Sequence, residues 1–138
     1  MKAAVLKKIE DLEIKEVARP TPLEKEILIK VKACTICGTD VRVYHHGHKH
    51  MKFPRIIGHE VSGEIVEVGG KVKDHKIGEK IAIAPAIPCG RCYYCRRGMQ
   101  SMCINLTAIG YHYDGGFAEF MIVPEDALRN RCVNSIPS

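Results

Sequence analysis

Apolar residues recur along much of this chain at a spacing of two, the repeat of an extended strand whose successive side chains face opposite ways. In residues 26–34, Ile27, Ile29, Val31 and Ala33 share one face, while Lys30 and Lys32 lie opposite among residues that include Leu28. Residues 2–8, 12–17, 61–68, 80–84 and 117–123 read as further short strands. Arg19-Pro20-Thr21-Pro22, Gly69-Gly70, Gly78 and Gly115-Gly116 punctuate them with turn-forming residues. Only residues 39–46 read as helix, and a short one. Short strands with turn signals at this spacing predict a mainly β sandwich or barrel. No repeat, low-complexity segment or linker divides the 138 residues, which read as one domain large enough for its own hydrophobic core.

What is missing narrows the picture further. No strand is followed by a GxGxxG turn, a helix and an acidic residue, so a dinucleotide-binding fold is not expected within these residues. No apolar run approaches the ~18 residues of a membrane span. The first eight residues are too short and too charged for a signal peptide. The composition, 46% apolar and 27% charged, is that of an ordinary globular protein. Seven cysteines is an odd number, and four are clustered too tightly for a disulfide framework, which together predict a cytoplasmic protein. The formal charge is +5, but Lys and Arg alternate with Glu, and no basic run exceeds the pair Arg96-Arg97. Removing four thiolate charges and adding a dication's two leaves +3. That is a solvated surface, and neither nucleic acid nor membrane is expected as a partner.

The clustered cysteines are Cys89, Cys92, Cys95 and Cys103, with the spacing C-x2-C-x2-C-x7-C. Two-residue gaps let successive thiolates turn back onto one ion, and a tetrahedral zinc takes four ligands at ~2.3 Å. With every position filled by protein, such a site is structural. Pro88, Gly90 and Gly98 supply the tight turns it needs. An iron–sulfur cluster shares the first spacings, and unrelated buried thiols are the plainer reading. Four free thiols in a polar loop would, however, be exposed to oxidation.

A second group is Cys37-Gly38-Thr39-Asp40 with Gly58-His59-Glu60. A catalytic zinc takes about three protein ligands and keeps one open position. Cys37 sits where the short helix starts, and the positive helix end favours its thiolate. His59 offers a neutral imidazole, which Asp40 or Glu60 can orient. Thr39 is placed to hydrogen-bond a substrate hydroxyl. By spacing alone, a Cys and a His this far apart are more often core residues than metal ligands.

Gly58-His59-Glu60-Val61-Ser62-Gly63-Glu64, followed by Gly69, resembles the zinc signature of the zinc-dependent medium-chain alcohol dehydrogenases. Cys37-Gly38-Thr39-Asp40 resembles their first-ligand motif, and the four-cysteine segment their structural zinc loop. Gly78-Glu79-Lys80-Ile81 and residues 114–120, DGGFAEF, are similar to two further family motifs, in the family's order. The resemblance is to the N-terminal, GroES-like catalytic domain. It implies a partly open β-barrel with short helices and a zinc-binding lobe at about residues 86–105. It also implies oxidation of a small-molecule alcohol or polyol by hydride transfer to NAD(P), with one structural and one catalytic zinc. By position, Cys37 and His59 resemble the catalytic ligands, and Glu60 the carboxylate that approaches the metal when substrate is absent. Thr39 resembles the first member of a proton relay, and Asp40 the partner of His59.

The same resemblance places the third protein ligand and the coenzyme domain C-terminal to residue 138, and allows a homo-oligomer in the full-length form. Arg42 stands where many relatives keep the outer histidine of the relay, and arginine stays protonated. Rival readings are a stand-alone zinc-binding or interaction module, a zinc-ribbon nucleic-acid binder and a co-chaperonin-like domain. Cys34 pairs with Cys37 as C-x2-C but reads as a buried thiol at a strand end. Cys132 falls in a tail, residues 128–138, that matches the family loosely. His45, His46, His48 and His50 read as a mobile loop near the substrate mouth, ahead of a third metal site. His75 and His112 read as residues without cluster partners, and Tyr93 and Tyr94 as packing within the cysteine segment.

Overall fold

In the computed structural model, which describes residues 1–137, the expected strands form with small shifts at their ends. A three-stranded sheet has the order β2-β1-β4, from β1 (Lys2–Lys8), β2 (Asp11–Glu16) and β4 (Arg55–Ile56). A five-stranded sheet has the order β10-β6-β5-β3-β9. Its members are β3 (Ile27–Thr35), β5 (Glu60–Val68), β6 (Lys80–Ile83), β9 (Phe120–Val123) and β10 (Val133–Ser135). β7 (Ala86–Ile87) and β8 (Thr107–Ala108) pair at the neck of the cysteine segment. The sheets meet without closing into a full barrel, and among the described residues the only helices longer than one turn are α1 (Gly38–His46) and α2 (Glu125–Arg129).

The core follows from the alternation. Ile27 and Ile29 of β3 pack with Val61 and Ile65 of β5, Ile81 and Ile83 of β6, and Met121 and Val123 of β9. Each fully buried Ile or Val of this kind contributes about 1.5–3 kcal/mol. Leu28, placed by the pattern on the lysine face, is fully buried as well. A register shift between Leu28 and Ile29 in the β3–β5 ladder breaks the strict alternation there. A second cluster, Leu6, Val43, Met51 and Ile57, lies beneath α1 and anchors it.

Two features differ from the sequence reading. α2 forms although only residues 39–46 read as helical: Pro124 precedes it, and Glu125 and Asp126 occupy its first turn. Its five residues are too few to show a periodicity. The loosely matching tail is also structured, since β10 pairs antiparallel with β6 through Val133↔Ile83 and Ser135↔Ile81. Cys132 is buried within the main core.

Gly69 ends β5, and its N–H donates to the carbonyl of Glu26 at 2.9 Å. A Cβ there would overlap the carbonyl oxygens of Leu23 and Glu24, whereas one on Gly70 would meet nothing within 4 Å. Gly69→Ala is therefore expected to cost about 3 kcal/mol, the scale of an overpacked site that must displace backbone. Gly70→Ala should stay within about 0.5 kcal/mol of wild type. Urea unfolding of the two variants measures the difference.

Candidate metal centres

The hairpin of β7 and β8 pinches off a loop in which the four cysteine sulfurs all lie within 4.8 Å of one another. Cys92 Sγ is 3.5 Å from Cys95 Sγ and 3.9 Å from Cys103 Sγ. A tetrahedron of ~2.3 Å metal–sulfur bonds has edges of ~3.8 Å, so the sulfurs fit one ion. A 4Fe–4S cluster gives each thiolate its own iron, and a 2Fe–2S cluster splits the four between two irons, so either would hold sulfurs on different irons further apart. The backbone N–H groups of Cys95 and Ile104 pull the Cys92 thiol down to about 6. Burial, and then the bonds to Cys92 and Cys103, push Cys95 up to about 12. The first thiolate to form thus opposes the next, and a dication removes that opposition.

The second centre arises where β3 and β5 part. Their last pair is Thr35↔Glu60, so Cys37 leaves one strand as His59 enters the other. Cys37 caps α1: its Sγ accepts the Thr39 N–H at 3.3 Å, and Asp40 Oδ2 accepts the Cys37 N–H at 3.0 Å. The other oxygen, Asp40 Oδ1, lies 3.2 Å from His59 Nδ1. A carboxylate only accepts, so Nδ1 donates and Nε2 is left with its lone pair. That lone pair is 3.1 Å from Cys37 Sγ. Asp40 is 5% exposed, and both its oxygens are engaged. A tetrahedral zinc with ordinary bond lengths would set a sulfur–nitrogen edge of ~3.6 Å, so this pair fits two positions of one ion.

Gly58, at φ +91°, permits the approach, because a Cβ there would come within 2.6 Å of the Phe117 ring and 2.9 Å of Cys34 Sγ. Thr39 is exposed on the first turn of α1. Glu60 is exposed, and its carboxylate accepts the Thr35 hydroxyl; it stands outside the group formed by Cys37, Asp40 and His59. Cys34 is half-buried, and its thiol is pushed up to about 11, mainly by burial and then by the Asp40 charge. Burial raises Cys132 too.

Tyr111, not singled out by its sequence, lies 6.1 Å from His59, ring centre to ring centre. Burial, and then the charges of Asp40 and Cys37, raise its hydroxyl, with Arg42 opposing them. His112 does have partners, contrary to its sequence reading: it stacks on His50 at 5.4 Å. The fold brings residues 48–50 and 111–112 together, which no local pattern announces. The sequence marked His48 and His50 only as members of a histidine tract, and His112 only as an isolated residue.

A mainly β domain with a four-sulfur knuckle and a separate Cys–His pair oriented by a buried carboxylate offers the donor sets for two metal ions. Comparison with known proteins gives the family. Residues 23–133 match the alcohol dehydrogenase GroES-like domain. The starvation-sensing protein RspB of Escherichia coli K12 is 41% identical over 124 residues, which are 90% of this chain and 37% of that protein. L-threonine 3-dehydrogenase of Pyrococcus horikoshii is 44% identical over 115 residues, 81% of this chain and 33% of that enzyme. Galactitol-1-phosphate dehydrogenase of E. coli superposes with a TM-score of 0.87 at 31% identity, covering all of this chain and 38% of that one. RspB of E. coli CFT073, solved with NADH, gives 0.85 at 39%, covering 100% and 39%. The chain belongs to the zinc-dependent medium-chain alcohol and polyol dehydrogenase family, through its GroES-like domain. It spans about a third of the length of the curated relatives it matches.

Cys95→Ser is expected to release about one zinc per chain and to lower the Tm by roughly 10 °C or more. Metal analysis and calorimetry read both effects. After chelation, iodoacetamide should modify Cys92 at least about tenfold faster than Cys34 or Cys132, because the thiolate is the nucleophile. Peptide mass spectrometry follows the order.

Proposed function

We propose that this chain is the zinc-binding catalytic domain of an NAD(P)-linked dehydrogenase that oxidises a small alcohol or polyol. Cys89, Cys92, Cys95 and Cys103 hold a structural zinc, and Cys37 and His59 hold the catalytic one. The observation that carries this reading is the placement of the two Asp40 oxygens, which turns His59 Nε2 onto Cys37 Sγ 3.1 Å away. A structural knuckle does not need a buried carboxylate to orient a two-ligand pair; an open catalytic position does. Zinc bound there supplies a Lewis acid that makes a hydroxyl more acidic.

The chain's own residues do the rest. Asp40 keeps the His59 ring fixed and its Nδ1 protonated. Thr39, exposed beside Cys37, takes the substrate hydroxyl's proton outward. Glu60 is adjacent to His59 and reaches the metal only by giving up Thr35. Arg42, permanently charged, cannot accept the proton that Thr39 passes on, so the outer part of the relay differs from that of relatives with histidine.

A nicotinamide coenzyme is supported by the NADH found in RspB of E. coli CFT073. The coenzyme domain and a third metal ligand belong to the C-terminal part that relatives add. Homo-oligomer formation is supported by exposed apolar side chains such as Ile14 and Ile104. A reducing, cytoplasmic setting suits seven free thiols.

The test is a chimaera joining this domain to the coenzyme-binding remainder of the P. horikoshii enzyme, assayed with a panel of alcohols, polyols and hydroxy acids. NADH formation is expected, and Cys37→Ser should lower kcat at least about 100-fold. The bare 138 residues should give no turnover, because they have no glycine-rich turn to position a nicotinamide. A chimaera that folds and binds zinc but never forms NADH would favour a stand-alone zinc-binding module.

A further inference from the structure

Beside the Cys37–His59 centre lies a group of rings that the reading above leaves without a role. His48 meets Tyr111 edge-on at 4.7 Å and His50 at 5.5 Å, and His50 in turn stacks on His112 at 5.4 Å. Tyr111 is the single ring between this group and His59. Arg42 is close enough for its charge to act on both Tyr111 and His48. We propose that this rim is an oxyanion site, in which Arg42 and the Nε2–H groups of His48 and His112 take a phosphate or carboxylate group at the mouth of the centre.

Hydrogen bonding sets the polarity of the site. The His50 N–H donates to His48 Nδ1 at 3.3 Å, and the Ala108 N–H donates to His112 Nδ1 at 3.1 Å. A neutral imidazole that accepts at Nδ1 carries its proton at Nε2, so both rings present donors outward. A metal ion at Nε2 would need the proton on Nδ1, against a backbone N–H in each case. The arrangement therefore opposes a third metal site and favours an acceptor-rich ligand. Burial first, then the charges of His50 and nearby Lys49 and Arg42, hold His48 below its usual range. Burial, His50, His48 and Arg55 do the same for His112. Both rings thus remain neutral donors near pH 7, and the fixed positive charge comes from Arg42 and Lys49.

The nearby carboxylates are already engaged. Glu10 is 2.8 Å from His45, Asp114 is 3.0 Å from Arg55, and Asp40 is buried against His59. Among the described residues no carboxylate pairs with Arg42 or Lys49. The anion could belong to a substrate or to the diphosphate of a coenzyme. Only that assignment rests on the dehydrogenase reading.

The experiment is imidazole ¹H–¹⁵N NMR on the zinc-loaded chain, titrated with inorganic phosphate, glycerol 3-phosphate, ADP and uncharged glycerol. The phosphates should move the Nε2 signals of His48 and His112 in a saturable way, glycerol should not, and His75 should stay still. Arg42→Gln should weaken binding about tenfold, the usual scale of a lost charge-assisted contact. Tighter binding of glycerol 3-phosphate than of phosphate, lost in Cys37→Ser, assigns the anion to a substrate whose hydroxyl reaches the centre. Tighter binding of ADP assigns it to the coenzyme. If neither glycerol 3-phosphate nor ADP binds tighter than phosphate and Cys37→Ser changes nothing, the oxyanion site stands and the dehydrogenase reading loses support. The proposal is overturned if no phosphate moves these signals, or if Arg42→Gln binds as well as wild type. Zinc beyond two equivalents binding at His48 and His112 in place of phosphate would also overturn it.

Discussion

The pairing of β3 with β5 is the constraint on which the rest depends. Two nine-residue strands run antiparallel from Ile27↔Val68 to Thr35↔Glu60, with β3 also paired to β9 and β5 to β6. Register here decides two things together. A slip of one residue would turn Val61 and Ile65 out of the core, and it would also separate the strand end that launches Cys37 from the one that receives His59. The core thus enforces the geometry of the metal pair. Gly58 and Gly116 let neighbouring chains close over Cys34 at that corner, where a Cβ on either would press on its sulfur.

The two centres solve different problems. The cysteine segment has almost no core of its own: Tyr93, Met99, Met102, Ile104 and Leu106 are exposed, and from Cys89 to Leu106 only Cys103 is buried. A loop of this length without burial cannot offset its ordering entropy, so a tetrahedral ion would do there what side-chain packing does elsewhere. At the Cys37–His59 pair the order of dependence is reversed. α1 is held by the Leu6, Val43, Met51 and Ile57 cluster, and Asp40 fixes His59, so the protein prepares two ligand positions before any ion arrives.

Much of this was legible in the sequence, for separable reasons. Period-two alternation located β1, β3, β5 and β6 because each has one face on the core. The cysteine spacing announced the knuckle because two-residue gaps are a local geometric requirement. The Cys37–His59 pair was not legible from spacing; it took the resemblance to a family, since only strand register joins residues so far apart. α2 and β10 escaped because five and three residues span fewer than two repeats of the helical and strand periods. The ring group was lost for a third reason: His48 and His112 come from separate loops, and their Nδ1 partners are backbone N–H groups that no side-chain pattern encodes.

The charge balance at the mouth ties these parts together. A zinc ion held by the Cys37 thiolate and His59, with the Asp40 carboxylate buried behind the ring, would sum to zero, and the Glu60 carboxylate beside it would add one negative charge. Asp114 is matched by Arg55, and Glu10 is held by a hydrogen bond with His45. Arg42, one turn along α1 from the metal pair, has no carboxylate partner among the described residues and supplies, with Lys49, positive charge on this side of the mouth. A histidine at position 42 would be neutral over much of the physiological range and could pass a proton; an arginine does neither. The exchange gives up a proton acceptor for a permanent positive charge beside two imidazoles already fixed as donors. On the proposed reading such a mouth would discriminate first by charge, and an uncharged alcohol that satisfies the metal centre alone would leave the rim unmatched.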